Sequence, residues 1–387
     1  MAKEIAMRNP DNTHTPQALF PGLLPAVDPA APGRPVVIAG PCSAESCGQV
    51  LDTARQLKDI GVDVFRAGVW KPRTHPGCFE GCGAKALEWL AEVRKCESGS
   101  LADGAGYFPV STEVASPEHL RQALDAGIDI LWLGARTTTN PFAVQAIADA
   151  AVEWCRERGV RLDSLRFLVK NPATQDLELW IGAIQRLYNA GVRRITAIHR
   201  GFSVYGDSFY RNSPQWQIPM ELRRRVGRSL QLLCDPSHIG GRRDLVEPIA
   251  RQALERGFDG LIIEVHPLPD TALSDSAQQI TPAQLREILS SLQIPQESDG
   301  DRHLEELRRQ IDSIDDELMG VLARRMAISR EIGQLKQMHS LSVVQPDRYR
   351  ELIERRVSEA SAIGVSPDFI RELLSVIHEE SVRQQLH

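Results

Sequence analysis

Between Val36 and His266, short apolar and β-branched runs alternate with stretches of helical periodicity. The runs are VVIAGPCS (36–43), VDVFRAG (62–68), YFPVSTEV (107–114), IDILWLGA (128–135), RFLVKNP (166–172), RRITAIHRG (193–201), LQLLCDPSH (230–238) and GLIIEVH (260–266). Near-continuous apolar strands separated by helices predict a parallel sheet covered by helices. Eight such units within about 260 residues favour a closed (β/α)8 barrel, a TIM barrel, over an open doubly wound sheet. The phosphate fingerprint of open sheets, GxGxxG after the first strand, is absent. Ahead of the repeat, residues 1–33 carry Pro10, Pro16, Pro21, Pro25, Pro29 and Pro32. Proline fixes φ and lacks an amide proton, so this stretch reads as an extended arm.

After a polar linker, QIPQESDGD (293–301), strands stop and helical periodicity continues. Leu304, Leu307, Ile311, Ile314, Leu318, Val321, Ile328, Ile332 and Leu335 follow a spacing of three and four. One helix over 302–338 would be roughly 55 Å long at 1.5 Å per residue. That exceeds the width of so small a globule, so the helix predicts a packing partner and a homodimer built on this region. Further helices are predicted over 346–361, opened by Pro346, and over 367–386, with Ser366 as N-cap and Pro367 in the first turn. The expected organisation is an arm (1–33), a barrel (34–292), a linker (293–301) and an all-α, three-helix domain (302–387).

Length agrees with this division. A chain of 387 residues exceeds one ordinary domain, and a barrel of about 250 leaves room for one small partner. The net charge of −6 argues against nucleic acid or an anionic membrane as a broad partner, though a local cationic pocket stays compatible with it. No apolar run approaches the length of a membrane span, and the amino terminus lacks the apolar core of a secretory signal. Seven unpatterned cysteines suit a reducing cytosol better than a disulfide scaffold, so a cytoplasmic enzyme is expected.

In a barrel, the carboxyl ends of the strands carry the chemistry. Here the predicted strand ends hold Cys42, Arg66, Glu113, Arg136, Lys170, Arg200, His238 and Glu264. Arg66, Lys71, Arg73, Arg136, Lys170 and Arg200 would repel one another in an empty cleft. Such cations suit bidentate or point-charge binding of phosphate and carboxylate oxygens, and predict a substrate set with several negative charges. The structural alternative is a solvated rim paired to nearby acids. Cys42, His238, Glu264 and Asp275 form a second group, with thiolate, imidazole and carboxylates suited to Mn, Fe, Co or Zn. They come from strands one, seven and eight, which adjoin in a closed barrel. The CxxC pairs of a tetrahedral cysteine zinc site are absent.

The helical segment has its own anomaly. The heptad from Leu304, Ile311 and Leu318 lands next on Arg325, and an arginine on an apolar seam is costly unless an anion pairs with it. Lys336 lies about three turns further on, on the same side. The stripe Ile370, Leu374, Ile377 of the last helix runs on into Ser381 and Gln385. Arg308 points about 100° away from Arg325, towards a surface that could complete a partner's pocket. Cations and hydrogen-bonding groups inside a bundle predict a small anionic ligand; a buried ion-pair network is the structural alternative.

The motifs IAGPCSAES (38–46), FRAGVWKPRT (65–74), GARTT (134–138), VKNP (169–172), HRG (199–201), DPSH (235–238) and IIEVHPLPDTALSDSAQQ (262–279) make residues 34–292 resemble the metal-dependent 3-deoxy-D-arabino-heptulosonate 7-phosphate (DAHP) synthases. Residues 302–387 resemble the all-helical chorismate mutases. The resemblance implies condensation of phosphoenolpyruvate with erythrose 4-phosphate and rearrangement of chorismate to prephenate. It implies metal ligands at Cys42, His238, Glu264 and Asp275, and phosphoenolpyruvate contacts at Arg66, Lys71, Arg136, Lys170 and Arg200. It places the aldose phosphate on Lys71, Pro72, Arg73 and Thr74. A related synthase that uses arabinose 5-phosphate carries a stretch resembling KANRSS where this chain has KPRT, which favours the four-carbon sugar. For the mutase, the matching residues are Arg308, Arg325, Lys336, Gln345, Arg348, Ser381 and Gln385, with Arg308 reaching across a dimer. Gln345 and Tyr349 stand where some relatives carry an acid.

This chemistry suits the residues. A divalent ion would polarise the aldehyde, Lys71 would protonate the forming alkoxide and Glu113 would position the attacking water. The mutase would hold its dicarboxylate in a reactive conformer, with Arg325, Lys336 and Gln385 stabilising developing charge. A different class of function is also compatible: the helical domain as a chorismate- or prephenate-sensing module that dimerises and regulates the barrel.

Overall fold

The computed structural model describes residues 19–29, 33–71, 77, 79–95, 107–205, 209–292, 299–339, 346–362 and 364–386. Eight parallel strands form a closed barrel in chain order: β1 (Val36–Gly40), β2 (Val64–Arg66), β3 (Val110–Glu113), β4 (Ile130–Leu133), β5 (Arg166–Lys170), β6 (Arg194–His199), β7 (Gln231–Cys234) and β8 (Gly260–Glu264). The predicted fold class is the observed one. Parallel neighbours are joined by helices that bury the outer face, so the strands read as continuous apolar runs. Ile38, Val64, Ile130, Trp132, Leu168, Ile198, Leu233 and Ile262 fill the interior, and a larger apolar layer lies between strands and helices. Closure pairs β1 with β8 from Val36↔Gly260 to Gly40↔Glu264. That register sets Glu264 level with Gly40, two residues before Cys42.

Where it is described, the amino-terminal stretch lies against the barrel. Leu24 bridges Arg194 at the start of β6, the Ala26 N–H donates to Thr196 Oγ1 at 2.9 Å, and Gln231 Nε2 donates to the Val27 carbonyl at 2.9 Å. Phe20, Leu23, Ala26 and Val27 are buried. Ala26 and Val27 join the interior cluster and cover the amino-terminal mouth of the barrel, whereas Phe20 and Leu23 pack into the layer between strands and helices.

The chain divides into two compact units, Met1–Pro295 and Gln296–His387. In the second, the described residues form helices Asp299–Met338, Pro346–Ala362 and Pro367–Leu386. Ile311, Ile314, Leu318, Val321, Ile328, Ile332 and Leu335 are exposed along the first of them, so the predicted apolar stripe is not buried within one chain. The side chains of Leu304 and Leu307 lie outside the described residues. Among the described residues, no helix is long and apolar enough to cross a membrane.

Candidate active sites

Four of the predicted strand-end groups are last residues of strands: Arg66, Glu113, Lys170 and Glu264. The others sit in the turns beyond. Cys42 follows β1 by two residues, Arg200 follows β6 directly, Arg136 lies in a short helix Ala135–Thr138 after β4, and His238 lies in Pro236–Gly240 after β7. Asp235 caps that last turn, its Oδ1 accepting the His238 N–H at 3.1 Å, and Pro236 suits its first position. Local capping thus aims His238 at the barrel mouth.

There Cys42, Glu264 and Asp275 offer ligand atoms that all lie within 4.8 Å of one another. His238 Nε2 stands 3.8 Å from Glu264 Oε1, while its Nδ1 meets Asp235 Oδ2 at 2.8 Å. Glu264 Oε1 accepts no hydrogen bond from the described residues although it is fully buried. It has Arg66 Nη1 at 3.3 Å as an ion-pair partner. A buried carboxylate oxygen without a donor, facing a thiol and a second carboxylate, fits a divalent cation. Burial and the Glu264 charge push the Cys42 thiol up to about 12, with Lys71 opposing. Burial would lower Lys71, but Cys42, Glu264 and Glu113 outweigh it and hold the amine above its ordinary value. Its Nζ donates to the Cys42 carbonyl and to Cys42 Sγ, each at 3.1 Å. Burial also opposes ionisation of Asp275, yet Arg211, His238 and Lys71 hold it below the usual carboxylate range.

The cluster opens into a cavity of about 100 Å³ lined by Lys71, Arg136, Lys170, Arg200 and Arg211, with Glu113, His238 and Asp275. Lys170 Nζ pairs with Asp235 Oδ2 at 2.8 Å. Burial would raise the Asp235 carboxyl, but His238 and Lys170 hold it well below its ordinary value. Burial pulls Arg200 down to about 10 against the Asp235 charge, and Asn212 Oδ1 accepts from its Nη1 at 2.8 Å. Arg66 is not in this wall. It is buried beneath it, donates to the Cys42 carbonyl at 3.1 Å and lies 4.7 Å over the Trp132 ring. Trp132 Nε1 donates to Glu113 Oε2 at 3.2 Å, and Gly134 leaves room for the other oxygen, since a Cβ there would overlap Glu113 Oε1. Pro72, Arg73 and Thr74, predicted for the aldose phosphate, lie outside the described residues.

In the helical unit, Arg325 Nη1 donates to Ser381 Oγ and to the Ile377 carbonyl, and Lys336 Nζ donates to Gln385 Oε1 at 3.1 Å. The four residues that break the apolar stripes therefore meet across the first and last helices. Gln345 and the side chains of Arg308, Arg348 and Tyr349 lie outside the described residues.

Residues 31–298 match the model of the DAHP synthetase I family. The chain belongs to that family. Residues 307–386 match the chorismate mutase type II model, so this DAHP synthetase carries a second enzyme domain. It is similar to the phospho-2-dehydro-3-deoxyheptonate aldolase of Thermotoga maritima, at 33% identity over 256 residues, 66% of this chain and 68% of that one. It is also similar to the 2-dehydro-3-deoxyphosphooctonate aldolase of Azoarcus sp., at 29% identity over 278 residues, 67% of this chain and 90% of the other. The crystal structure of the Thermotoga DAHP synthase superposes with a TM-score of 0.55 at 30% identity, covering 73% of this chain and 71% of that one.

Several residues of the DAHP synthetase site escaped sequence reasoning. Asn171 Oδ1 accepts the Arg200 N–H at 2.7 Å, Gln279 Oε1 accepts the Cys42 N–H at 2.9 Å, and Gln278 Nε2 donates to Glu264 Oε2 at 2.6 Å. All of them, with Asp235, lie inside the motifs VKNP, SDSAQQ and DPSH, so adjacency to a titratable group was the available signal. Arg211 lies in none of them.

Proposed function

We propose that the barrel, residues 34–292, catalyses the metal-dependent condensation of phosphoenolpyruvate with erythrose 4-phosphate to DAHP and phosphate. The helical domain, residues 302–387, rearranges chorismate to prephenate. The carrying observation is that Asp275 belongs both to the thiol and carboxylate cluster and to the lining of a cavity walled by cations. Cys42, His238, Glu264 and Asp275 would hold a divalent ion (Mn, Fe, Co or Zn), which when bound polarises the sugar aldehyde. Arg136, Lys170 and Arg200 bind the phosphate and carboxylate of phosphoenolpyruvate. Arg66 backs them, holding Glu264 and the Cys42 carbonyl in place. Lys71 stays protonated and gives its proton to the nascent alkoxide; Glu113, oriented by Trp132, positions the water that attacks the cationic carbon. Lys71 with Pro72, Arg73 and Thr74 takes the aldose phosphate.

In the mutase domain Arg325, Lys336, Ser381 and Gln385 grip the dicarboxylate and the ether oxygen, with Gln345 and Arg348 from the same chain. Arg308 comes from a second chain, in a homodimer formed on the exposed apolar stripe. Chelation tests the metal reading: EDTA abolishes condensation and Mn²⁺ restores it, whereas full turnover in a verified metal-free sample overturns it. Chorismate consumption is unaffected by EDTA, because a unimolecular rearrangement needs only positioning and charge stabilisation by the side chains.

A further inference from the structure

We propose that Arg211 is the positioning residue that aligns the two carboxylates of the metal site. The proposal rests on the metal reading of Cys42, His238, Glu264 and Asp275. Arg211 lies in the loop between β6 and helix Gln217–Val226, outside every motif singled out above. Its base is rigid. The Asn212 N–H donates to the Ile239 carbonyl at 3.1 Å, and Asn212 Nδ2 donates to the His238 carbonyl at 2.7 Å. The Arg211 stem lies on Gly241, where φ is +69° and a Cβ would overlap the stem. The loop is thereby clamped to the turn that carries His238.

From this base the guanidinium reaches Asp275 directly and Glu264 through Gln278. Arg211 Nη1 pairs with Asp275 Oδ1 at 3.1 Å and donates to Gln278 Oε1; Gln278 Nε2 in turn donates to Glu264 Oε2 at 2.6 Å. The remaining oxygens face the cluster. Asp275 Oδ2 accepts from Cys42 Sγ at 3.3 Å, and Glu264 Oε1 accepts no hydrogen bond from the described residues. Each carboxylate therefore has one oxygen fixed by Arg211, directly or through Gln278, and one turned inward. Asp275 is further held with φ at +45°, which few non-glycine residues adopt. Outer partners that fix ligand orientation in this way are typically worth about 10–100-fold in metal affinity. A cation serving only the substrates would act oppositely: its charge would repel the metal, and removing it would tighten binding.

The test uses the full chain, stripped of metal and titrated with Mn²⁺, and compares wild type with Cys42→Ser, Arg211→Lys, Arg211→Met and Gln278→Met. Wild type binds Mn²⁺ and Cys42→Ser weakens it, which establishes the site itself. Arg211→Met weakens binding by about 10-fold or more, and Arg211→Lys weakens it less, because both acceptors are held by Nη1 alone and an ammonium on a shorter stem can serve two acceptors. Gln278→Met, which cuts the relay to Glu264 and leaves Arg211 intact, also weakens it and decides the matter should the Arg211 variants fail to fold. The visible spectrum of the Co²⁺-loaded Arg211 variants shifts as the carboxylates reorient, a change that altered fold stability alone does not produce. Wild-type or tighter Mn²⁺ affinity in Arg211→Met and Gln278→Met overturns the proposal and leaves the metal site standing. A wild type that binds no Mn²⁺, or binds it independently of Cys42, overturns both.

Discussion

His199, the last residue of β6, offers a quantitative test of how the barrel is held next to Arg200. Its imidazole is fully buried, with the rings of Trp216, Phe202, Phe258 and Trp180 at 5.4, 5.6, 6.0 and 6.4 Å. Burial pulls it from 6.5 down to about 3, with the Pro214 main chain opposing. The folded value lies below the unfolded one, so unfolding takes up a proton in the window between them. The imidazole's contribution is intact above pH 6.5 and is lost as the pH falls towards 3. Linkage gives a loss of about 2 kcal/mol between pH 7.5 and pH 5. His199→Phe keeps an aromatic ring and removes the titration. All six tryptophans precede residue 293, so their fluorescence in urea reports the barrel and not the helical domain. Wild type should lose about 2 kcal/mol more than His199→Phe over that pH interval. Parallel losses in the two proteins would refute the reasoning.

Gly134→Ala should force Glu113 from its place. A misplacement near 1 Å can cost about 10²-fold, so condensation turnover falls steeply while the tryptophan spectrum keeps its folded form. Arg325→Ala removes the charged hydrogen bonds proposed to grip the dicarboxylate, worth roughly 1.5–3 kcal/mol; mutase kcat/KM drops accordingly and condensation by the barrel is unchanged. Should wild type convert no chorismate while prephenate still slows condensation, the helical domain is a sensor and not a mutase. Leu318→Glu puts a charge on the exposed apolar stripe and should dissociate the proposed homodimer, read as a halved mass in light scattering.

Much of the architecture was legible along the chain because its signals are local. A strand covered on both faces must be apolar throughout, and a helix of 40 residues shows its periodicity without reference to anything else. The order of the eight strands follows from parallel neighbours and short connections. Where the arm lies was not legible for the complementary reason. Its prolines exclude regular structure, but only the open barrel mouth explains why Ala26 and Val27 are buried, and only the helical layer explains Phe20 and Leu23.

The site was legible as a set of residues and not as a geometry. Strand ends with the wrong polarity for folding singled out Cys42, His238 and Glu264, yet nothing local distinguishes Arg66 from Arg136. One is sealed under the floor against Glu264 and the other lines the cavity, because side chains at a strand end and in the following turn point differently. Arg211 carries no local signal at all; its partners are Asp275 and Gln278, more than sixty positions away. By itself the sequence determined the barrel, the helical domain and the kinds of group gathered at each site, since hydrophobic period and residue chemistry are properties of short segments. Only the tertiary structure decided which groups touch, because Cys42 meets Asp275 across 233 positions through the closure of β1 on β8.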